Sequence, residues 1–75
     1  MIEIEVRYFA TLRKDKKKKE ILTFDDEIST GQLLDKLQIL HEDVAILLVN
    51  GIKSGFDVKI KDKDIIALFP PVGGG

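Results

Sequence analysis

The sequence predicts one small α+β domain, with a single helix crossing one face of a mixed β-sheet. Three observations carry this. The first residues alternate strictly between apolar and polar, a capped amphipathic helix follows, and two apolar runs rich in β-branched residues fill the second half. A chain of 75 residues supports one core and no second. A lone amphipathic helix has only the sheet to bury its stripe against.

In IEIEVRYF, Ile2 to Phe9, the residues Ile2, Ile4, Val6 and Tyr8 share one face, and Glu3, Glu5, Arg7 and Phe9 share the other. This predicts a strand with one face on a core. Phe9 is the odd member, an aromatic on a charged face. After the basic stretch RKDKKKK comes EILTF, Glu20 to Phe24, with Leu22 and Phe24 on one face. The two strands read as an antiparallel hairpin with a basic tip.

ISTGQLLDKLQIL carries a helix start. Ser29 is the expected N-cap, Gln32 completes a capping box, and Ile28 with Leu33 forms a hydrophobic staple. Leu33, Leu34, Leu37 and Leu40 then recur at helical spacing over two to three turns. Gly31 in the first turn weakens the helix by ~1 kcal/mol relative to alanine. VAILLVNG, Val44 to Gly51, predicts a strand buried on both faces that ends in an Asn50-Gly51 tight turn. A short alternating piece spans Asp57 to Asp64, and DIIALF, Asp64 to Phe69, is the last strand. Pro70-Pro71 stops it, because proline gives no N–H to a ladder. The pattern names Ile2, Ile4, Val6, Leu22, Phe24, Leu33, Leu37, Leu48, Ile66 and Leu68 as core. The expected division is a folded body over residues 1–69 and a flexible tail over 70–75.

Composition removes several function classes. With 44% hydrophobic residues and a formal net charge of -1, the chain is neither disordered by composition nor attracted to nucleic acid or anionic lipid. It has no cysteine, which excludes disulfides, Cys-based metal sites and a catalytic thiol, and the expected location is the cytoplasm. Met1 is followed at once by a strand pattern and not by a signal peptide. No apolar run approaches the ~18 residues needed to cross a membrane. No triad, metal cluster or phosphate loop is visible, and Gly73-Gly74-Gly75 is not such a loop, since no helix or lysine follows it. His41 is the single histidine, and one ligand does not make a metal site. Lys14 to Lys19, broken only by Asp15, reads as a solvated hairpin tip or as a contact for an acidic partner.

The chain finishes on FPPVGGG. Three glycines cost much backbone entropy to order, so this end is expected to be mobile. It fits a frayed terminus as well as a thin, working tail. If the first and last strands run parallel as neighbours in mid-sheet, Phe9 and Phe69 lie side by side where the tail leaves. Parity puts both on the face away from the helix, as an apolar patch of the kind that partners use.

FPPVGGG behind DIIALF, with YFA (Tyr8, Phe9, Ala10) followed by Arg13, and with Asn50 in VNG, resembles the small subunit of molybdopterin synthase. That family consists of ubiquitin-like sulfur carriers with the β-grasp fold, and the resemblance covers the whole chain. Relatives in thiamine biosynthesis also end in Gly-Gly. One departure stands at Asp62-Lys63-Asp64, where the family usually has Asp-Gly-Asp; Lys63 at a positive φ costs ~1 kcal/mol compared with glycine.

The resemblance implies that this chain is not an enzyme on its own but the sulfur-carrying subunit of a sulfurtransferase complex. An adenylating enzyme of the ubiquitin-activating type would use ATP on the Gly75 carboxylate, and a sulfur donor would leave a thiocarboxylate there. The synthase large subunit, in a heterotetramer, would pass that sulfur to a pterin precursor for a molybdenum or tungsten cofactor. It further implies that Gly74 and Gly75 carry the chemistry and that Phe9, Phe69, Pro70, Pro71, Val72 and Gly73 meet the partners. No bound cofactor, metal, nucleic acid or membrane is expected. The alternatives are a thiazole-pathway carrier and a protein modifier joined to lysines through Gly75.

Overall fold

The computed structural model describes residues 1–12 and 18–71. Strand β1 (Ile2–Tyr8) pairs antiparallel with β2 (Lys19–Phe24) and parallel with β7 (Ile65–Phe69). β7 pairs antiparallel with β4 (Ile46–Val49), and β4 with β5 (Ile52–Lys53), giving the order β2-β1-β7-β4-β5. The first and last strands are therefore parallel neighbours at the centre, and the helix α1 (Thr30–Lys36) packs on one face. The fold is the ubiquitin-like β-grasp.

Alternation sets the faces as the sequence dictates. Ile2, Ile4, Val6, Tyr8, Ile66 and Leu68 are buried against Leu33, Leu34 and Leu37 of the helical segment. Leu22 and Phe24 are half-buried at its margin. The capping box is complete: Gln32 N–H donates to Ser29 Oγ at 3.1 Å, and Ser29 N–H donates to Gln32 Oε1 at 2.8 Å. The staple residues Ile28 and Leu33 are both buried. Asn50 and Gly51 both have positive φ, 54° and 84°, in a two-residue loop between β4 and β5, which is the backbone that a type I′ hairpin needs.

Four details differ from the sequence reading. The run Val44–Val49 is not buried on both faces: Leu47 enters the core, whereas Leu48 is half-buried on the open face and Ile46 is exposed. An unbroken apolar run hides its own parity, so the core residue is Leu47 and not Leu48. Secondly, α1 ends before Leu40, which is 61% exposed. Gln38 takes φ 59°, Gln38 N–H donates to Asp35 O, and Ile39 N–H donates to Leu34 O at 2.9 Å. This is a Schellman closure with glutamine where glycine is usual, and the buried Ile39 and Leu34 supply its apolar contact.

Thirdly, the short alternating piece over Asp57 to Asp64 does form a strand, Lys59–Ile60 (β6), but it pairs with Ile28–Ser29 (β3) in a separate two-stranded sheet. Finally, Gly31 is a requirement of packing and not a weakness. Its N–H donates to Phe56 O at 2.8 Å, and a Cβ there would stand 2.6 Å from that same oxygen. Thr30, fully buried, donates from Oγ1 to Gly55 O at 2.6 Å and fixes the same loop.

Candidate functional site: the base of the C-terminal tail

β1 and β7 have their C-terminal ends together because they run parallel, with Tyr8 opposite Leu68. One residue further, Phe9 N–H donates to Leu68 O at 3.2 Å, which extends the ladder and holds Phe9 beside Phe69. Their rings stack at a centroid distance of 4.3 Å and 11° between planes. Both remain half-buried on the face opposite α1. The chain then turns sharply at Ala10, whose φ is 53°, into a short 3₁₀ turn, Ala10–Leu12.

The stacked pair forms one wall of an open cleft of about 430 Å³ that includes Ala45, Ile46, Pro70 and Pro71. Ala45 N–H donates to Phe69 O at 2.8 Å, so the last strand is gripped from both sides up to its final residue. The sequence brought Phe9, Phe69, Pro70 and Pro71 together, and the structure places all four here. Val72, Gly73, Gly74 and Gly75 lie outside the described residues. Ile46 was missed as a lining residue, because only the register Ile46↔Phe69 reveals that it shares the face of the aromatic pair.

The opposite end of the same strands is built differently. Asn50 donates from Nδ2 to Asp64 Oδ1 and accepts Ile65 N–H on Oδ1, both at 2.9 Å. Asp64 also accepts Lys61 N–H, and Asp62 accepts Glu3 N–H at 2.7 Å. Lys63 does take a positive φ, 72°, and is tied to β1 twice: its N–H donates to Glu3 O at 2.7 Å and Nζ to Glu3 Oε1 at 2.6 Å. The Glu3 carboxylate, by hydrogen bond and charge, raises the Lys63 pKa above the usual lysine value. Asn50 thus ties the turn to the start of the last strand.

Elsewhere, the Tyr8 hydroxyl donates to Glu20 under the sheet margin. Burial first, then the Glu20 hydrogen bond and charge, push its pKa well above the ordinary tyrosine value. His41 rests over Gly31, 3.3 Å from Gly31 O and 3.2 Å from Asp35 Oδ1, against the Phe56 ring. A second cleft, beside Phe24, Asp25, Asp26 and Lys36, is lined by charges that reach solvent and lies away from the tail. Among the described residues no three His, Cys, Asp or Glu side chains gather in a metal-binding group, and no helix is long and apolar enough to cross a membrane.

Comparison with known proteins agrees with this architecture. The chain is 32% identical to small archaeal modifier protein 3 of Haloferax volcanii, over 99% of this chain and all of that one. Its fold matches SAMP1 from Haloferax volcanii with a TM-score of 0.78 at 25% identity, covering 97% of this chain and 99% of the other. It also matches a chain in the complex of subunits 1 and 2 of the molybdopterin-converting factor from Helicobacter pylori 26695. There the TM-score is 0.67 at 25% identity, covering 99% of this chain and all of that chain. The profile of the ThiS family matches residues 6–75, so the chain belongs to the ThiS family of ubiquitin-like small proteins.

Proposed function

We propose that this protein is a sulfur carrier whose reactive group is the Gly75 carboxyl, and that it serves molybdopterin synthesis. The observation that carries this reading is the stacked Phe9–Phe69 pair beside Pro70 and Pro71, an apolar anchor where the glycine tail begins. A carboxylate resists nucleophiles. Its oxygen attacks the α-phosphate of ATP in an adenylating partner, pyrophosphate leaves, and the resulting mixed anhydride has AMP as a good leaving group. A sulfur nucleophile displaces AMP and leaves the thiocarboxylate. Thiolate-type anions are the reactive sulfur nucleophiles, and a thiocarboxylate is ionised near neutral pH.

Each residue choice fits a step. Without Cβ atoms, Gly73, Gly74 and Gly75 pass through a channel that side chains would block. Extended, three residues reach ~10 Å, and Pro70-Pro71 stiffens their base. Ordering the tail costs ~1–2 kcal/mol per residue, and the aromatic patch offsets this when it docks on the adenylating enzyme and then on a synthase large subunit. That second partner is supported by the subunit complex in which the Helicobacter pylori relative occurs.

A second reading has its own support. The Haloferax volcanii relative is named a modifier protein, and a lysine amine attacking activated Gly75 would give an isopeptide with the same tail. Two assays separate the readings. Incubation with the adenylating partner, ATP and a sulfide source should raise the intact mass by the difference between one sulfur and one oxygen, all of it at Gly75. An unchanged mass overturns the carrier reading, and Gly75-linked lysines on other proteins, found by peptide mapping, favour the modifier. One bulky residue added beyond Gly75 should abolish either activity.

A further inference from the structure

β2 is the outer strand of the sheet, and the outward edge of that strand is self-complementary. Tyr8 N–H donates to Lys18 O at 2.8 Å, and the β1–β2 register runs on in steps of two through Val6↔Glu20, Ile4↔Leu22 and Ile2↔Phe24. In an antiparallel ladder these are the pairs that exchange hydrogen bonds. Lys19, Ile21 and Thr23 therefore direct their N–H and C=O groups away from β1, along an edge to which no other strand of the described residues pairs. Such an edge is a template for another strand.

Proteins guard exposed edges with charged side chains, lysine above all. Here the signs differ at the two ends. Lys18 and Lys19 stand at the start of the strand, Asp25 and Asp26 directly after its end, and all four are exposed. Between them lies an apolar centre in which Ile21 is 55% exposed and Leu22 and Phe24 are half-covered. Turned about a two-fold axis, the basic end of one copy meets the acidic end of the other.

We propose that two copies of this chain pair antiparallel through β2, centred on Leu22, to form one continuous sheet. In that register Ile21 faces Thr23 of the other copy, residues whose outward backbone groups match, and Lys19 faces Asp25 twice, with Lys18 facing Asp26 just beyond. Opposite residues share a face, so Leu22 meets Leu22 at the core margin and the open faces of both copies lie on one side. Centring on Ile21 sets Lys19 against Thr23 and loses its charge pair; centring on Thr23 sets Ile21 against Asp25. β1 separates β2 from β7, so both tail bases stay accessible. The dimer presents two aromatic patches on one side, which raises the effective concentration of the second at any paired partner.

The test uses the whole chain in sedimentation equilibrium from micromolar to millimolar concentration at low salt. The wild type should dimerise, more weakly as salt screens the end charges. Lys19→Glu and Asp25→Lys should each weaken the dimer about tenfold or more, and the double variant Lys19→Glu/Asp25→Lys should restore it. Thr23→Pro removes only an outward N–H, which edge strands tolerate, and should give a monomer with an intact fold by circular dichroism. If that variant is unfolded, the charge-swap rescue decides alone. A wild type that is monomeric throughout overturns the proposal and leaves the edge to a strand of another protein. A dimer insensitive to Thr23→Pro in a folded variant, or single-charge variants not rescued by the double, also overturns it and moves the contact to the open face.

Discussion

The two ends of the β1–β7 pair use the same strands for opposite purposes. At one end Asn50, Asp62, Lys63 and Asp64 close a polar network in which turn, β1 and β4 are tied by hydrogen bonds of 2.7–2.9 Å. At the other, the Phe9 and Phe69 rings stack on each other, half-buried, with an apolar cleft open beside them. A hydrogen-bonded turn spends its polar groups internally and has nothing left for a partner. An aromatic pair left half-covered keeps area in reserve for docking. Rigidity at one end is what makes the position of the other end reproducible.

This contrast can be broken in order of expected effect. Phe69→Ala should weaken binding to the activating or synthase partner by about tenfold or more, since aromatic anchors dominate interfaces. Its cost to stability should be about 1–3 kcal/mol, from the stacked pair and the half-buried ring together; titration calorimetry and urea unfolding read the two separately. A loss of stability with partner affinity unchanged would deny the division of labour. Asn50→Ala should do the reverse. It removes two side-chain hydrogen bonds at a positive φ, and should cost about 1–3 kcal/mol of stability, with partner affinity unchanged.

Tyr8→Phe sharpens the comparison through pH. The Tyr8 pKa is raised in the fold, so the unfolded phenol ionises first, and the associated stability is complete below the ordinary value near 10 and falls as pH rises above it. Melting temperatures between about pH 9 and 11 should drop less in the variant than in the wild type. The smallest effect belongs to Lys63→Gly. Relief of the positive φ stabilises and loss of an exposed ion pair costs little, so the midpoint of chemical denaturation should rise slightly. On the alkaline side the Lys63–Glu3 attraction fades as pH passes the raised lysine pKa.

Much of this was legible because local rules and global packing agree. Alternation in IEIEV, the Ser29–Gln32 box and Asn50-Gly51 each have one structural solution, and all three appear. The aromatic pair followed from parity plus one topological step, the parallel neighbourhood of β1 and β7. What was hidden depended on contacts distant in sequence. Gly31 looked like a propensity penalty until Phe56 O was found against it. Gln38 ends the helix without the glycine that marks such ends. Leu47 and Leu48 exchanged roles because a run of apolar residues carries no phase, and β3–β6 is only two residues long on each side.

The central place of β7 has a consequence for how the protein folds. It divides β1 from β4, so the β1–β2 and β4–β5 hairpins join into one sheet only through it. Contacts that join the two ends of a chain form late and slowly. The sheet therefore closes only when β7 docks between the two hairpins, and a product lacking Ile65–Phe69 would be cleared as unfolded rather than compete for the same partners.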